Sequence, residues 1–343
     1  MAAPVLFPTD AVFNGVAKEG SASPGTPVAM TATVPCDTFK WSDKWVPIDD
    51  KALRGVMGND SFAVLQGYWY CDVPTAGGPV YPDTIPYLIG NLMGDITTTG
   101  TAAPFQHVIS LLNPTSGNPG AQGTTHTWTQ YYGPTATSGA RQIPYFCLSQ
   151  LVFTWEAATG LLMWSGKGQG WKSVAAGSRP TSAPTAIKPY AAWVGQLAVG
   201  GALPGSAVNN LEKATITVNR ELENEPVANG TQSPLAIGRA GLSCTFDLQF
   251  ITQDETYYTD YINNVEPQLQ VQFTAGSAGT LTLVQIDMQQ AAFTKADPDY
   301  GKKFVRWMIS GKGVFNSTNV GASGGLAPIQ FTVKNAVTSG TYI

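Results

Sequence analysis

The chain carries one short string twice: Met163-Trp164-Ser165-Gly166-Lys167-Gly168 and Met308-Ile309-Ser310-Gly311-Lys312-Gly313. Five of the six letters agree, and the copies lie 145 residues apart, from 163 to 308. A period of this length in a chain of 343 residues predicts two similar domains rather than a solenoid, whose repeats are shorter. Each copy closes an apolar run, Gly160 to Trp164 and Phe304 to Ile309, as a strand feeding a glycine-rich bend would.

The flanks extend the repeat. In the first half, Ala29 to Asp37 reads as a strand, and residues 39 to 60 read as an extended loop or hairpin around Trp41, Trp45 and Pro47. Phe62 to Val73 is a strand rich in β-branched and aromatic residues, closed by Pro74 and Gly77-Gly78. Ile85, Leu88, Ile89 and Leu92 share one helical face, with Pro86 in the first turn and Gly94 as the stop. Four strands follow: 106 to 112, 124 to 132, 142 to 157 and 160 to 167.

The second half repeats the order. Strands are expected at 191 to 199 and 214 to 219, and a long polar loop at 220 to 239. A strand at 242 to 252 is followed by a helix at 253 to 265 with Tyr257, Tyr258, Tyr261 and Ile262 as its buried stripe. Strands at 269 to 274, 280 to 288, 304 to 312 and 329 to 337 complete it. The expected fold is all-β with short helices: two tandem, similar β-barrel or β-sandwich domains, each with one flanking helix. The boundaries are an extended N-terminal arm at 1–28, a first barrel at 29–176, a Pro- and Ser-rich linker at 177–185 and a second barrel at 186–343.

Composition narrows the function. Charged residues make up 12%, about half the usual fraction of roughly 25%, while Gly (37) and Pro (24) are abundant. A surface so poor in charge suits a protein covered by copies of itself. The net charge is −4 and cations are scattered, whereas a static grip on phosphates needs them clustered. No apolar run approaches the roughly 20 residues of a membrane helix, and the start lacks the pattern of a secretory signal. Cys36, Cys71, Cys147 and Cys244 show no metal spacing and read as small buried hydrophobes.

Catalytic patterns are missing from the sequence. His107 and His126 lie in strand-like runs without a nucleophile and carboxylate in any recognisable arrangement, and read as structural. In Gly166-Lys167-Gly168 a glycine stands where a phosphate-binding loop needs Ser or Thr. Asp297-Pro298-Asp299 lacks the ligands and glycine of a calcium loop. No catalytic, cofactor or metal residue is assigned, and no cofactor is expected. Of the nine tryptophans, those on strands read as core, while Trp41 and Trp45 are candidates for contact with a neighbouring subunit.

Several strings together resemble a known family. They are Ala17-Lys18-Glu19-Gly20 through Gly25-Thr26-Pro27-Val28, the loop segment Asp49 to Gly55, Thr125-His126-Thr127-Trp128, the run Leu161 to Gly168, and Thr215-Ile216-Thr217-Val218-Asn219-Arg220-Glu221-Leu222-Glu223. Their order over nearly the whole chain resembles the double-barrel tail tube (major tail) proteins of long-tailed bacteriophages. Residues 1–28 and 289–303 depart from that pattern.

The resemblance implies a non-enzymatic virion subunit, made in the host cytoplasm, that assembles with itself into stacked rings forming a hollow tail tube. Three chains of two barrels would give a pseudo-hexameric ring. It also implies genomic DNA and a tape measure protein in the lumen, tail terminator and tail tip proteins at the ends, and no membrane anchor. Loops 39–60 and 221–239 occupy matching places in the two halves and are the expected contacts between rings or subunits. The interface candidates are Trp41, Trp45, Val46, Ile48, Leu53, Leu222, Pro226, Leu235 and Ile237. A tandem β-sandwich adhesin or carbohydrate-binding protein, using exposed aromatics, is the alternative.

Overall fold

A computed structural model describes residues 13–50, 63–132, 140–158, 160–176, 185, 187–228, 230–252, 254–277, 280–301 and 303–343. In the first half run β1 (Phe13–Lys18), β2 (Ala32–Thr33), β3 (Thr38–Asp50), β4 (Ala63–Pro79), α1 (Ile85–Met93), β5 (Gly94–Thr99), β6 (Phe105–Leu111), β7 (His126–Tyr131), β8 (Ala140–Glu156), β9 (Met163–Trp171) and β10 (Val174–Ala175). The second half holds β11 (Gln196–Val199), β12 (Ala207–Val208), β13 (Leu211–Glu225), β14 (Ala236–Ile251), α2 (Thr256–Ile262), β15 (Leu269–Ala275), β16 (Thr282–Met288), β17 (Ala291–Asp299), β18 (Arg306–Gly313) and β19 (Gln330–Asn335).

Two antiparallel sheets pack face to face. The larger contains an eight-strand run in the order β3-β4-β9-β8-β13-β14-β18-β17. The smaller runs β12-β11-β15-β16-β19-β6-β5. The fold is all-β with two short helices and is sandwich-like; among the described residues neither sheet closes into a barrel. Phe153 of the first sheet meets Phe331 of the second at 5.6 Å, and Trp155 meets Phe273 edge-on at 5.3 Å. Apolar side chains from both halves join one continuous core.

The larger sheet forks at β8. Residues 140–146 pair with β7, and residues 147–156 pair with β9 on one edge and β13 on the other. Tyr145 at the fork has φ 52°, a left-handed conformation that costs energy unless it is held. Glu19 holds it. Its buried carboxylate accepts the Tyr145 N–H at 2.8 Å, the Gly25 N–H at 2.7 Å, and the hydroxyls of Thr125 and Thr127 at 2.5 and 2.8 Å. Four donors replace the water that a buried carboxylate forfeits.

Several expectations change. The S-G-K-G strings lie inside β9 and β18 rather than at a bend. Their glycines are needed because neighbours press on them: a Cβ on Gly311 would collide with the Ala292 carbonyl and the Phe246 ring, and one on Gly166 would lie 3.0 Å from the Gln150 carbonyl oxygen. Pro74 and Gly77-Gly78 do not end β4, which continues through a register shift to Pro79. The segment 29–37 provides only the two-residue β2, and β1 lies within the Pro- and Gly-rich start.

The long loops are largely strand, since β3 and β13 run on to Asp50 and Glu225 and β14 begins at Ala236. The expected strand at 191–199 is a 3-10 turn, Ala192–Val194, followed by β11. In α2 only Tyr257 and Tyr258 pack inward, on Phe250 and Trp307, while Tyr261 and Ile262 face out. Residues 177–184 of the expected linker lie outside the described residues.

Candidate assembly interface

The two histidines serve the fold. His126 is buried; its Nδ1 accepts from the Asn91 amide at 2.8 Å and its Nε2 donates to the Tyr342 carbonyl at 2.8 Å. Burial, aided by the charges of Arg239 and Lys18, pushes its pKa down to about 4, so the ring stays neutral. His107 bridges Thr98 and Asn335, and Asn335 in turn donates to the Tyr342 hydroxyl at 2.9 Å. Both rings therefore latch the C-terminal segment over α1, where Tyr342 meets Tyr87 edge-on at 4.8 Å. Among the described residues no three His, Cys, Asp or Glu side chains gather as a metal site. Cys71, Cys147 and Cys244 are buried, and burial raises their thiol pKa values, Cys244 to about 12.

What the fold does present is edges and ends. In the eight-strand run, β3-β4-β9-β8 and β13-β14-β18-β17 are quartets of identical order and connectivity. They join where the last strand of one meets the first of the next: β13 pairs with β8 from Lys213↔Glu156 to Asn219↔Gln150. Among the described residues, β3 pairs only with β4 and β17 only with β18, so each outermost edge carries no further strand. An unpaired edge row of N–H and C=O groups is a template for another chain.

The face of this sheet turned away from the core is polar. Thr154, Thr215, Asp247, Ser310 and Lys295 follow one another across five strands in register. Lys167 and Lys312 point the same way as Ser165 and Ser310, since the period of two puts alternate residues of the string on one face. Lys295 pairs with Asp297 at 2.8 Å on this face.

At one end of the sheet the hairpins project. β4 last pairs with β9 at Tyr70↔Trp171, whereas β3 and β4 pair with each other out to Asp50↔Ala63. Likewise β13 and β14 run to Glu225↔Ala236, beyond Thr245↔Lys312 where β18 ends its pairing. The two arms touch: the Trp69 N–H donates to the Gln232 carbonyl at 2.7 Å. Trp45 stacks on Trp69 at 6.4 Å, and the Lys172 ammonium lies 4.0 Å over the Trp69 ring.

The sequence-derived candidates distribute unevenly over these surfaces. Val46, Ile48, Pro226 and Leu235 are exposed on or beside the arms. Trp41 and Leu222 are half-buried, and the Trp41 indole donates to the Gln130 side chain at 2.6 Å. Ile237 is buried within the chain itself, and Leu53 lies outside the described residues. Trp193, read from sequence as strand core, is instead exposed on the 3-10 turn, and Phe304, read as the start of a strand, is exposed with Tyr300 at the β17–β18 turn.

A family model for phage tail tube proteins matches residues 73–333, about three quarters of the chain. The chain belongs to the phage tail tube protein family. The match opens within β4 and closes in β19, so it takes in both S-G-K-G strands, the β8·β13 junction and the second arm. Comparison with curated proteins found no match. Membership of this family implies self-assembly into a tube.

Proposed function

We propose that this protein is the non-enzymatic subunit of a virion tail tube and that its copies join side by side through β3 of one and β17 of the next. The observation that carries this reading is the junction inside the chain. β13 already docks on β8 in the way that a second copy's β3 would dock on β17, because the quartets share one strand order and, among the described residues, both outer edges are unpaired. The repeated quartet supports a duplicated domain, and three chains then supply 24 strands to one closed ring.

With neighbouring strands about 4.8 Å apart, 24 strands enclose a backbone circle about 37 Å across, and more if the strands tilt. The apolar face packs against the second sheet, which leaves the Thr-, Ser- and Lys-bearing face toward the bore. There Lys40, Lys167, Lys213 and Lys312 are interspersed with Glu156 and Asp247 among uncharged hydroxyls and amides. A surface of mixed sign has little counterion-driven hold on a polyanion, as passage of DNA requires.

Negative-stain microscopy of the concentrated protein tests the reading, with rings or tubes of uniform bore as the expected result. A strictly monomeric protein at every concentration would overturn it.

A further inference from the structure

The smaller sheet turns one face to the core and the other to solvent. Val271, Phe273, Val284, Ile286, Phe331 and Val333 are buried in the core, and the residues between them face out. Across that outer face Gln196, Gln272, Gln285 and Thr332 stand opposite one another in one row over four strands. The Gln272 amide donates to the Gln285 side-chain oxygen at 3.4 Å. This uncharged row begins at a cavity of about 240 Å³ beside the 3-10 turn and β12. Trp155, Trp193, Gln196, Val208, Asn209 and Leu211 line it, and its wall holds no charged side chain.

Trp193 is held in place on this wall. Its turn is tied on one side by the Ala192 N–H, which donates to the Gly160 carbonyl at 2.9 Å. On the other side β11 pairs along its whole length with β15. Gly195 between them lets the chain pass close to the core, since a Cβ there would lie 2.6 Å from the Phe273 ring. The indole is nevertheless 74% exposed. A large apolar ring presented on a fixed backbone loses little freedom when a ligand covers it.

We propose that this cavity and the glutamine row form a binding site for a neutral glycan, a chain of uncharged hexose rings whose end ring stacks on Trp193. One face of a sugar ring is apolar C–H, and its rim carries hydroxyls that both donate and accept. The indole face suits the first, and the amides of Gln196 and Asn209, each with two donors and an acceptor oxygen, suit the second. Neither amide, nor the indole N–H of Trp155, has a hydrogen-bond partner among the described residues. A polyanion or a hard cation needs opposite charge, which this wall lacks. An apolar peptide would bury the amides unpaired. Gln272 and Gln285 lie one and two strands further on, at about 4.8 Å per strand, so the next rings of a glycan each meet an amide. The site does not depend on the tube reading, which adds only that the row lies on the outer surface of the tube.

Calorimetric titration of the unassembled full-length protein with cellohexaose, maltohexaose and chitohexaose tests the site, with hexagalacturonate as the charged control. At least one neutral hexamer should bind about tenfold or more tightly than the control and than its own monosaccharide. Trp193→Ala should weaken that binding about tenfold or more, while Trp193→Tyr keeps most of it, because the ring face remains. Gln196→Ala with Asn209→Ala should weaken it as well. Gln285→Ala should reduce the advantage of the hexamer over the disaccharide and leave disaccharide affinity unchanged. Trp193, Gln196 and Asn209 are exposed and Gln285 is half-buried on the outer face, so the fold should survive each change, and unchanged melting checks this. Failure of every neutral hexamer to bind, tighter binding of the charged control, or full affinity in Trp193→Ala would overturn the proposal. So would loss of self-association in Trp193→Ala when the unaltered protein binds no glycan, since the indole would then belong to a contact between copies. None of these results touches the ring reading, and absence of rings from the unaltered protein would leave the glycan site standing.

Discussion

Arg220 of β13 donates from Nη1 to the carbonyl oxygen of Leu92, 2.8 Å away at the end of α1. Further donations reach Met93, Ala121 and Ala240, and Arg239 beside it donates to Gly123 and Thr124. A guanidinium from the second half thus caps the last helix carbonyls of the first half, where the helix dipole favours a cation. Burial and the neighbouring Arg239 charge pull the Arg220 pKa down to about 10, so it remains charged at neutral pH.

Arg220→Ala should therefore destabilise the chain by about 3 kcal/mol, since several buried carbonyls lose their donor together. Arg220→Lys should recover only part of this, because one ammonium cannot reproduce the planar fork. Urea unfolding of the unassembled protein measures both. A loss below about 0.5 kcal/mol for Arg220→Ala would mean that water replaces the guanidinium freely.

Acid should loosen the C-terminal latch. His126 has a folded pKa of about 4 against an ordinary value of 6.5, so between these values the unfolded chain binds the extra proton. Its contribution is full above pH 6.5, falls as the pH drops and is gone below about 4. The groups facing it are Lys18 and Arg239, whose charges oppose protonation, and the Tyr342 carbonyl, which favours it. The effect amounts to about 3 kcal/mol at most. Urea midpoints at pH 7 and pH 4.5 should differ, and His126→Gln should flatten the difference. His107, also depressed by burial, adds in the same direction.

Gly311→Ala should cost more than Gly166→Ala although both glycines hold the same place in the repeated string. The added methyl at 311 meets backbone and the Phe246 ring, while at 166 the nearest atom is 3.0 Å away and a small shift relieves it. Overpacking of this kind costs about 1–3 kcal/mol. Melting temperatures of the two variants rank them, and equal losses would show that the sheet yields equally at both sites.

Much of this architecture was legible in the residues. The helix at 85–93 followed from Pro86, the apolar spacing and Gly94, whose φ of 94° is the left-handed stop that glycine permits. The string repeated at 163 and 308 falls on strands of equal place in the two quartets. The first arm was half legible, since the alternation around Trp41, Trp45 and Pro47 read as an extended loop or hairpin; the second was hidden because Glu221-Leu222-Glu223 read as polar loop, and an exposed two-stranded hairpin has no buried face to demand apolar alternation. β17 was hidden for a related reason: Pro298, Lys295 and Asp297 look unlike a strand, but at a sheet edge a proline and charges are tolerated. Glu19 and Arg220 stood in the strings that carried the family resemblance, but their partners, 106 and 128 residues away, are set only by tertiary structure.

The junction inside the chain also fixes the register expected between copies. Phe39 lies opposite Ala76, which lies opposite Gly166; Ile216 lies opposite Phe246, which lies opposite Gly311. Since Gly166 and Gly311 are the same letter of the string, Phe39 and Ile216 hold equal places. Ile216 faces Phe153, whose partner Trp164 corresponds to Ile309, and Ile309 faces Ala296. A neighbouring copy's Phe39 should therefore face Ala296, which places Lys40 opposite Lys295 on the polar face. In a Cys36→Ser background, Lys40→Cys with Lys295→Cys should form disulfide-linked dimers and larger species under mild oxidation of assembled protein. Lys40→Cys with Asp297→Cys, two residues out of step, should cross-link at least tenfold less. The reverse ranking would show that copies meet in a register different from that of β8 and β13, and that the chain's own junction is not the pattern for its ring.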